Sequence, residues 1–272
     1  MRQIISAICQ GIPFILAAMC LILFAYRQHP EYPLVLIANR DEYYARPNRD
    51  AHWWEDADIY AGRDLEAGGT WLGVNRGGRI AAVTNIRAPG STLANKRSRG
   101  ALTRDFLAGR QTASTYLDSI SGHDQEYSGF NLLLGDLDSL CFYSNRNSEV
   151  RPIEAGIYGV SNGDFDEPWP KLESGKQALA ALLNGSIEVA RLMNILTDYR
   201  IAEDHELPST GVPLDVERML SSRFIRAANY GTRACSVLLF DQQNRIHFTE
   251  QNYISAEQVG AHVHTIIEET EA

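Results

Sequence analysis

Two apolar runs near the start of this chain constrain its fold more than any other feature. Residues 21–26 and 34–38 are strand-like, and Leu34-Val35-Leu36-Ile37-Ala38 is apolar throughout, as a strand covered on both faces must be. Between them lies the polar, proline-bearing stretch Arg27-Gln28-His29-Pro30-Glu31-Tyr32-Pro33, so the two runs are expected to pair as a hairpin. A hairpin sets the beginning of its first strand beside the end of its second. Cys20 immediately precedes the first run and Asn39-Arg40-Asp41-Glu42 follow the second, which brings Arg40 and Asp41 close to Cys20.

The rest of the chain repeats this grammar. Residues 70–75 and 79–85 form another strand pair around Arg76-Gly77-Gly78, whose glycines supply the positive φ of a tight turn. Residues 98–107 and 112–121 read as helices. Strands follow at 130–134, 140–143 and 157–161. The strongest helix is 168–183, with Pro168 in its first turn, an apolar stripe through Trp169, Leu172, Leu179, Leu182 and Leu183, and Gly185 as its stop. A second helix covers 187–197, residues 202–220 read as loop, and a hairpin at 234–240 and 245–249 precedes a last strand at 261–267. Hairpins, then helices, then hairpins predict an α+β chain with antiparallel sheets and segregated helices. The expected organisation is an N-terminal extension, residues 1–19, and one domain, residues 20–272.

Composition narrows the function. Lys and Arg total 25 against 34 Asp and Glu, a net charge of −9, which argues against a broad nucleic-acid footprint. No run of about 20 apolar residues is present to span a membrane. The four cysteines, Cys9, Cys20, Cys141 and Cys235, form no CxxC pair, so neither a zinc site nor another metal or cofactor motif is expected, and their number suits a reducing compartment, the cytoplasm. His262 and His264 share one face of a strand, where they read as solvated or packed rather than as ligands. Gly68-Gly69-Thr70-Trp71-Leu72-Gly73 lacks the GK[ST] ending of a phosphate loop; close backbone approach, with Trp71 packing or lining a pocket, is its expected role.

The upstream segment leaves three readings open. It resembles a weak secretory signal, with Arg2, an interrupted apolar core and Ala17-Ala18, in which case the chain is exported. Translation starting at Met19, with removal of that methionine, is the second. A retained segment is the third. In the first two Cys20 becomes residue one, and its thiol and α-amine form a nucleophile with a built-in base. An α-amine titrates near 7.7–8.0 and can accept and return a proton at neutral pH, while a nearby Arg pulls a thiol below about 8.5. Asn85 and Asn162 each end an apolar strand run, where a side-chain amide can donate to an oxyanion, and Arg233 opens a strand, where it can fix a carboxylate or hold the nucleophile's surroundings.

Taken together, Met19-Cys20, Ala38-Asn39-Arg40-Asp41-Glu42, Arg46-Pro47, Gly68 to Gly73, Ala82-Val83-Thr84-Asn85, Gly129-Phe130-Asn131-Leu132, Tyr158-Gly159-Val160-Ser161-Asn162, Pro168-Trp169-Pro170-Lys171 and Tyr230-Gly231-Thr232-Arg233 resemble the NRDE family, the transport and Golgi organization 2 family. The resemblance runs in consistent order from Met19 to the C-terminus. It implies an N-terminal nucleophile hydrolase-like fold, a four-layer αββα sandwich of two antiparallel sheets between helical layers. It is also similar to the cysteine branch of those hydrolases, which includes penicillin V acylase and bile salt hydrolase. That similarity implies Cys20 as nucleophile, Arg40 and Asp41 attending it, Asn85 and Asn162 as oxyanion donors and Arg233 in support. Asn39, Glu42, Trp71 and Tyr230, which flank these positions, are expected to line the substrate pocket. Arg40 and Asp41 are adjacent here, whereas the acylases space the pair apart. Two functions follow as expectations: cleavage of a C–N bond in a small amide, or, since animal family members are linked to haem trafficking, lipid metabolism and secretory-pathway organisation, non-catalytic carriage of haem or a lipidic ligand in the same pocket.

Overall fold

The structure, a computed structural model, describes residues 19–87 and 96–268; the expectations for the segment before residue 19 lie outside the described residues. The first hairpin forms and is longer than its apolar letters. β1 (Met19–Tyr26) pairs antiparallel with β2 (Leu34–Tyr43), with Cys20 opposite Arg40 and Met19 opposite Asp41. Asn39-Arg40-Asp41-Glu42 therefore lie inside the second strand instead of following it. The cause is tertiary: β11 (Tyr230–Phe240) runs along the other edge of β2 from Leu34 to Tyr43 and holds the polar residues in the ladder.

The first sheet has the order β10 (Gly156–Val160), β1, β2, β11, β12 (Arg245–Tyr253), β13 (Val259–Glu268). The second is a meander in chain order: β3 (Asn48–Trp53), β4 (Tyr60–Asp64), β5 (Leu72–Val74), β6 (Ile80–Asn85), β7 (Phe130–Gly135), β8 (Leu140–Ser144), β9 (Glu149–Pro152). Two helices, α1 (Gly100–Ala108) and α2 (Ala113–Ser121), interrupt the meander between β6 and β7. Three more, α3 (Pro170–Leu182), α4 (Val189–Leu196) and α5 (Leu214–Leu220), lie between β10 and β11.

Strand alternation builds the layers. Ile22, Phe24, Leu36 and Ala38 meet Leu72, Ala82 and Leu133 in a core between the sheets. Leu21, Leu23, Val35 and Ile37 point the other way, onto Leu172, Leu179 and Leu192 of α3 and α4. The outer face of the second sheet, Ala81, Leu132 and Leu134, packs on Phe106 and Leu117 of α1 and α2. Helix, sheet, sheet, helix is the expected αββα order. Among the described residues no helix is long and apolar enough to cross a membrane.

Three differences from the sequence reading have local causes. α3 begins at Pro170, because Pro170 forces Trp169 into the extended region and leaves it as the N-cap. Residues 202–220, expected as loop, contain α5, with Pro213 as its N-cap. β3, β4 and β9 carry too many polar residues to show a strand pattern; they gain their ladders from neighbours.

The glycine motif at 68–73 is a point of close backbone approach. A Cβ on Gly69 would stand 2.4 Å from the Gly100 carbonyl carbon, where Thr70 N–H donates to Gly100 O at 3.2 Å. That contact seats the start of α1 against β5. Gly69→Ala should cost about 1–3 kcal/mol by overpacking, whereas Gly122→Ala, with open space at its Cβ and φ of −76°, should be near neutral. Urea unfolding of both variants checks this; equal stabilities would mean that the approach at Gly69 is relaxed.

Candidate functional site

At the end of the sandwich where β1 starts and β2 ends, the sheets part around a cavity of about 410 Å³. Cys20 forms part of its wall, beside Arg40 and Glu42 of β2 and Ala234 of β11. Across from them stand Trp71, directly before β5, and Val83 and Asn85 of β6, and the segment Lys96-Arg97-Ser98-Arg99 leading into α1 closes a third side.

The alternation of β2 divides the NRDE motif between two environments. Arg40 and Glu42 share the cavity face with Cys20; Asn39 and Asp41 project to the helical side. Asn39 is therefore not a pocket residue: its amide donates to Leu196 O (2.9 Å) and Arg223 O (2.7 Å), tying the end of α4 to the sheet. Tyr230 likewise leaves the pocket. It is fully buried behind β2, where its hydroxyl accepts from Met19 N–H (3.0 Å) and donates to Asp41 O (3.3 Å). Glu42 and Trp71 do line the cavity. Glu42 accepts from Tyr43 N–H and lies 3.9 Å from Arg40 and 3.7 Å from Arg46, which in turn binds Asp64 at 2.6 Å.

The Cys20 thiol is buried and pushed up to about 12, first by desolvation and then by Asp41. Arg40 and a hydrogen bond from the Asp41 backbone to the sulfur act in the opposite direction. As an internal residue the thiol is thus a poor nucleophile without a base. Asp41 is itself buried. Burial raises its carboxyl to about 6, against the pull of Lys171, of the Thr232 hydroxyl that donates to it at 2.6 Å, and of Arg40. Lys171 belongs to the quoted motif, but the sequence reading gives it no role. It is 4% exposed, donates to Leu220 O (3.1 Å), and is depressed first by burial and then by Arg87, while Asp41 and Cys20 raise it. Its sequence signal is slight: a lysine directly before Leu172 on the apolar edge of a helical first turn.

The two asparagines separate. Asn85 is on the cavity wall. Asn162 is one layer back; its amide donates to Asn85 O at 2.9 Å, so it positions Asn85. Ser161, unassigned from sequence, joins them to Cys20, its hydroxyl lying 2.9 Å from Cys20 O and 3.1 Å from Asn162 Oδ1. Arg233 sits at the β11 bulge between Thr232 and Ala234. It donates to the carbonyls of Tyr43 (2.9 Å), Tyr44 (3.0 Å), Arg46 (3.2 Å) and Tyr253 (3.1 Å) and to Asn48, so of its two expected roles it holds the surroundings. Among the described residues no three His, Cys, Asp or Glu side chains gather as metal ligands, and His264 bonds Thr249 at 2.9 Å.

The sequence profile of the Transport and Golgi organisation 2 family matches residues 19–255. The transport and Golgi organization protein 2 homolog of Bos taurus is 34% identical over 266 residues, covering 88% of this chain and 95% of that protein. The Homo sapiens homolog is 35% identical over 262 residues, covering 86% and 93%. Among solved structures, the Caenorhabditis elegans N-acylethanolamine-hydrolyzing acid amidase ortholog is 14% identical, with a TM-score of 0.49 over 81% of this chain and 92% of that one. A mutant form of the conjugated bile acid hydrolase of Clostridium perfringens is 9% identical, with a TM-score of 0.48 over 92% of each chain.

The buried carboxyl gives a pH signature. Folded, Asp41 keeps its proton up to about pH 6; an unfolded aspartate releases it near 3.9. The folded state binds the extra proton between these values, so this stabilisation is present below about pH 4 and lost as pH rises through 6. From pH 4 to pH 7, the stability of Asp41→Asn relative to the parent should improve by about 2–3 kcal/mol in urea unfolding. A difference independent of pH would show that Asp41 is not raised.

Proposed function

The chain belongs to the transport and Golgi organisation 2 family, and on that premise we propose that it is a cysteine hydrolase cleaving the C–N bond of a small amide. The observation that carries this reading is the setting of Cys20: a thiol on a cavity wall, opposite Arg40 in register, with the Asp41 backbone on its sulfur and Asn85 on the facing wall. A buried cysteine serving only to pack requires none of these.

The chemistry needs Cys20 as the first residue. Its α-amine then takes the thiol proton as Sγ attacks the amide carbon, and returns that proton to the leaving amine as the C–N bond breaks. Arg40 favours the thiolate. The Asn85 amide holds the oxyanion of the tetrahedral intermediate, and Asn162 fixes the Asn85 backbone. Water, deprotonated by the same amine, hydrolyses the thioester to a carboxylate and restores the thiol. Cys20, Cys141 and Cys235 are free thiols, which suits the cytoplasm as the compartment.

Haem, the other occupant considered, fits this wall poorly. Among the described residues the lining contains no histidine or methionine, is rich in charged groups, and offers as axial groups Tyr43 and a Cys20 thiol raised by burial. A lipidic ligand meets the same charged lining.

A chain beginning at Cys20 should be acylated at that residue by an electrophilic amide or β-lactam, read by intact mass and peptide mapping. The same chain with residues 1–19 retained should react far more slowly, and Cys20→Ser not at all. Asn85→Ala should lower the acylation rate about 100- to 1,000-fold. Failure of the Cys20-terminal chain to react with any member of an amide and lactam panel would overturn the reading.

A further inference from the structure

The cavity wall is strongly cationic, although the chain as a whole carries a net charge of −9. Most of these cations are engaged. Arg46 is paired with Asp64 and Glu66, Arg63 with Asp56, and Arg97 with Glu126. Lys96 donates to Gln125 O, and Arg233 is held by backbone carbonyls. The acids on the wall are equally committed. Asp64 serves Arg46 and the turn amides of Glu66 and Ala67, while Glu250 accepts from Ala51 N–H and the Asn252 amide.

Arg40 lies near Glu42 and Asp64, whereas among the described residues neither Arg49 nor Arg99 has a carboxylate within ion-pair distance; Arg49 is exposed, while Arg99 is half-buried and its guanidinium donates to Gly129 O at 3.3 Å. Burial pulls it down to about 10, against Cys20 and Glu42, so it is charged at neutral pH, and it shares the cavity wall with both. It thus faces the nucleophile's end of the cavity. It also stands at the amino end of α1, which carries no acidic residue in its first turn and adds partial positive charge. A planar guanidinium with spare donors matches a carboxylate.

We propose that the cavity selects amides that carry a carboxylate, with Arg99 as the counter-charge that sets the preference. This rests on the amidase reading and names the substrate class for it. The carboxylate is on either the acyl half or the amine half of the substrate, and matched pairs separate the two.

The test uses the chain beginning at Cys20. Glutaric acid mono-p-nitroanilide is compared with pentanoic acid p-nitroanilide, and N-pentanoylglycine with N-pentanoylglycinamide. In one pair the acid member should have a kcat/KM about tenfold or more above the neutral member, and Arg99→Gln should bring that ratio down about tenfold, toward 1, mainly through KM, with partial recovery in Arg99→Lys. Calorimetric titration of glutarate and N-pentanoylglycine into Cys20→Ala reads binding without turnover. Arg99-dependent binding with no hydrolysis by the active chain supports the anion site and defeats the amidase reading. Hydrolysis with no acid preference in either pair, or a ratio unmoved by Arg99→Gln, overturns the anion site and leaves the amidase reading standing.

Discussion

The register of β1, β2 and β11 is the constraint on which the rest of the site depends. β2 is paired along both edges, and every one of its residues from Leu34 to Glu42 is buried. A one-residue slip would exchange its faces, moving Arg40 from the cavity to the helical side and Asp41 from Thr232 into the cavity. The register is held by the apolar halves of the same strands: Leu36 and Ala38 must meet the inter-sheet core, and Val35 and Ile37 must meet α3 and α4. Hydrophobic burial, worth about 1.5–3 kcal/mol for each large aliphatic side chain, thereby fixes where the charged residues point.

Two charged layers result, separated by one strand. In front, Cys20, Arg40, Glu42 and Asn85 face the cavity. Behind, Asp41, Thr232, Tyr230 and Lys171 lie under α3 and α5, next to the buried Arg87–Glu217 pair at 2.6 Å, whose arginine also stacks over Trp169. Burying these groups disfavours the fold: both Asp41 and Lys171 are shifted toward their neutral forms by desolvation. A hydrophobic core alone needs no such arrangement, and perturbed titratable groups gather both at functional sites and in structural ion-pair networks. Ser161 and Asn162 link the layers laterally, joining the Cys20 carbonyl to the strand end that carries Asn85.

The cavity's electrostatics follow from contributions distant in sequence. β2 and the turn after it give Arg40, Glu42 and Arg46; β4 gives Asp64; the approach to α1 gives Arg99. Gly69 and Gly100 allow that approach to lie against β5, and Arg99, directly before Gly100, lines the cavity. An acidic protein can in this way enclose a local positive field, because charge at a site depends on which side chains converge there.

Periodicity and turn chemistry were enough to read the β1–β2 and β5–β6 hairpins, the helical character of α1 to α4 and the adjacency of Cys20 to Arg40, since each depends on neighbours a few residues away. α5 and the polar strands β3, β4 and β9 were not legible, because their patterns arise from partners far along the chain. The same limit applies in the site. The sequence by itself determined which residue types were available and that Cys20 and the Arg40-Asp41 pair would meet. Only the tertiary structure decided that Asn39 and Tyr230 support the site from behind, that Arg233 is spent on carbonyls, and that Lys171 and Arg99 belong to it. The physical reason is that a strand's letters do not record which face is covered by helix and which by a second sheet; burial on one side and cavity on the other emerge only when distant elements pack.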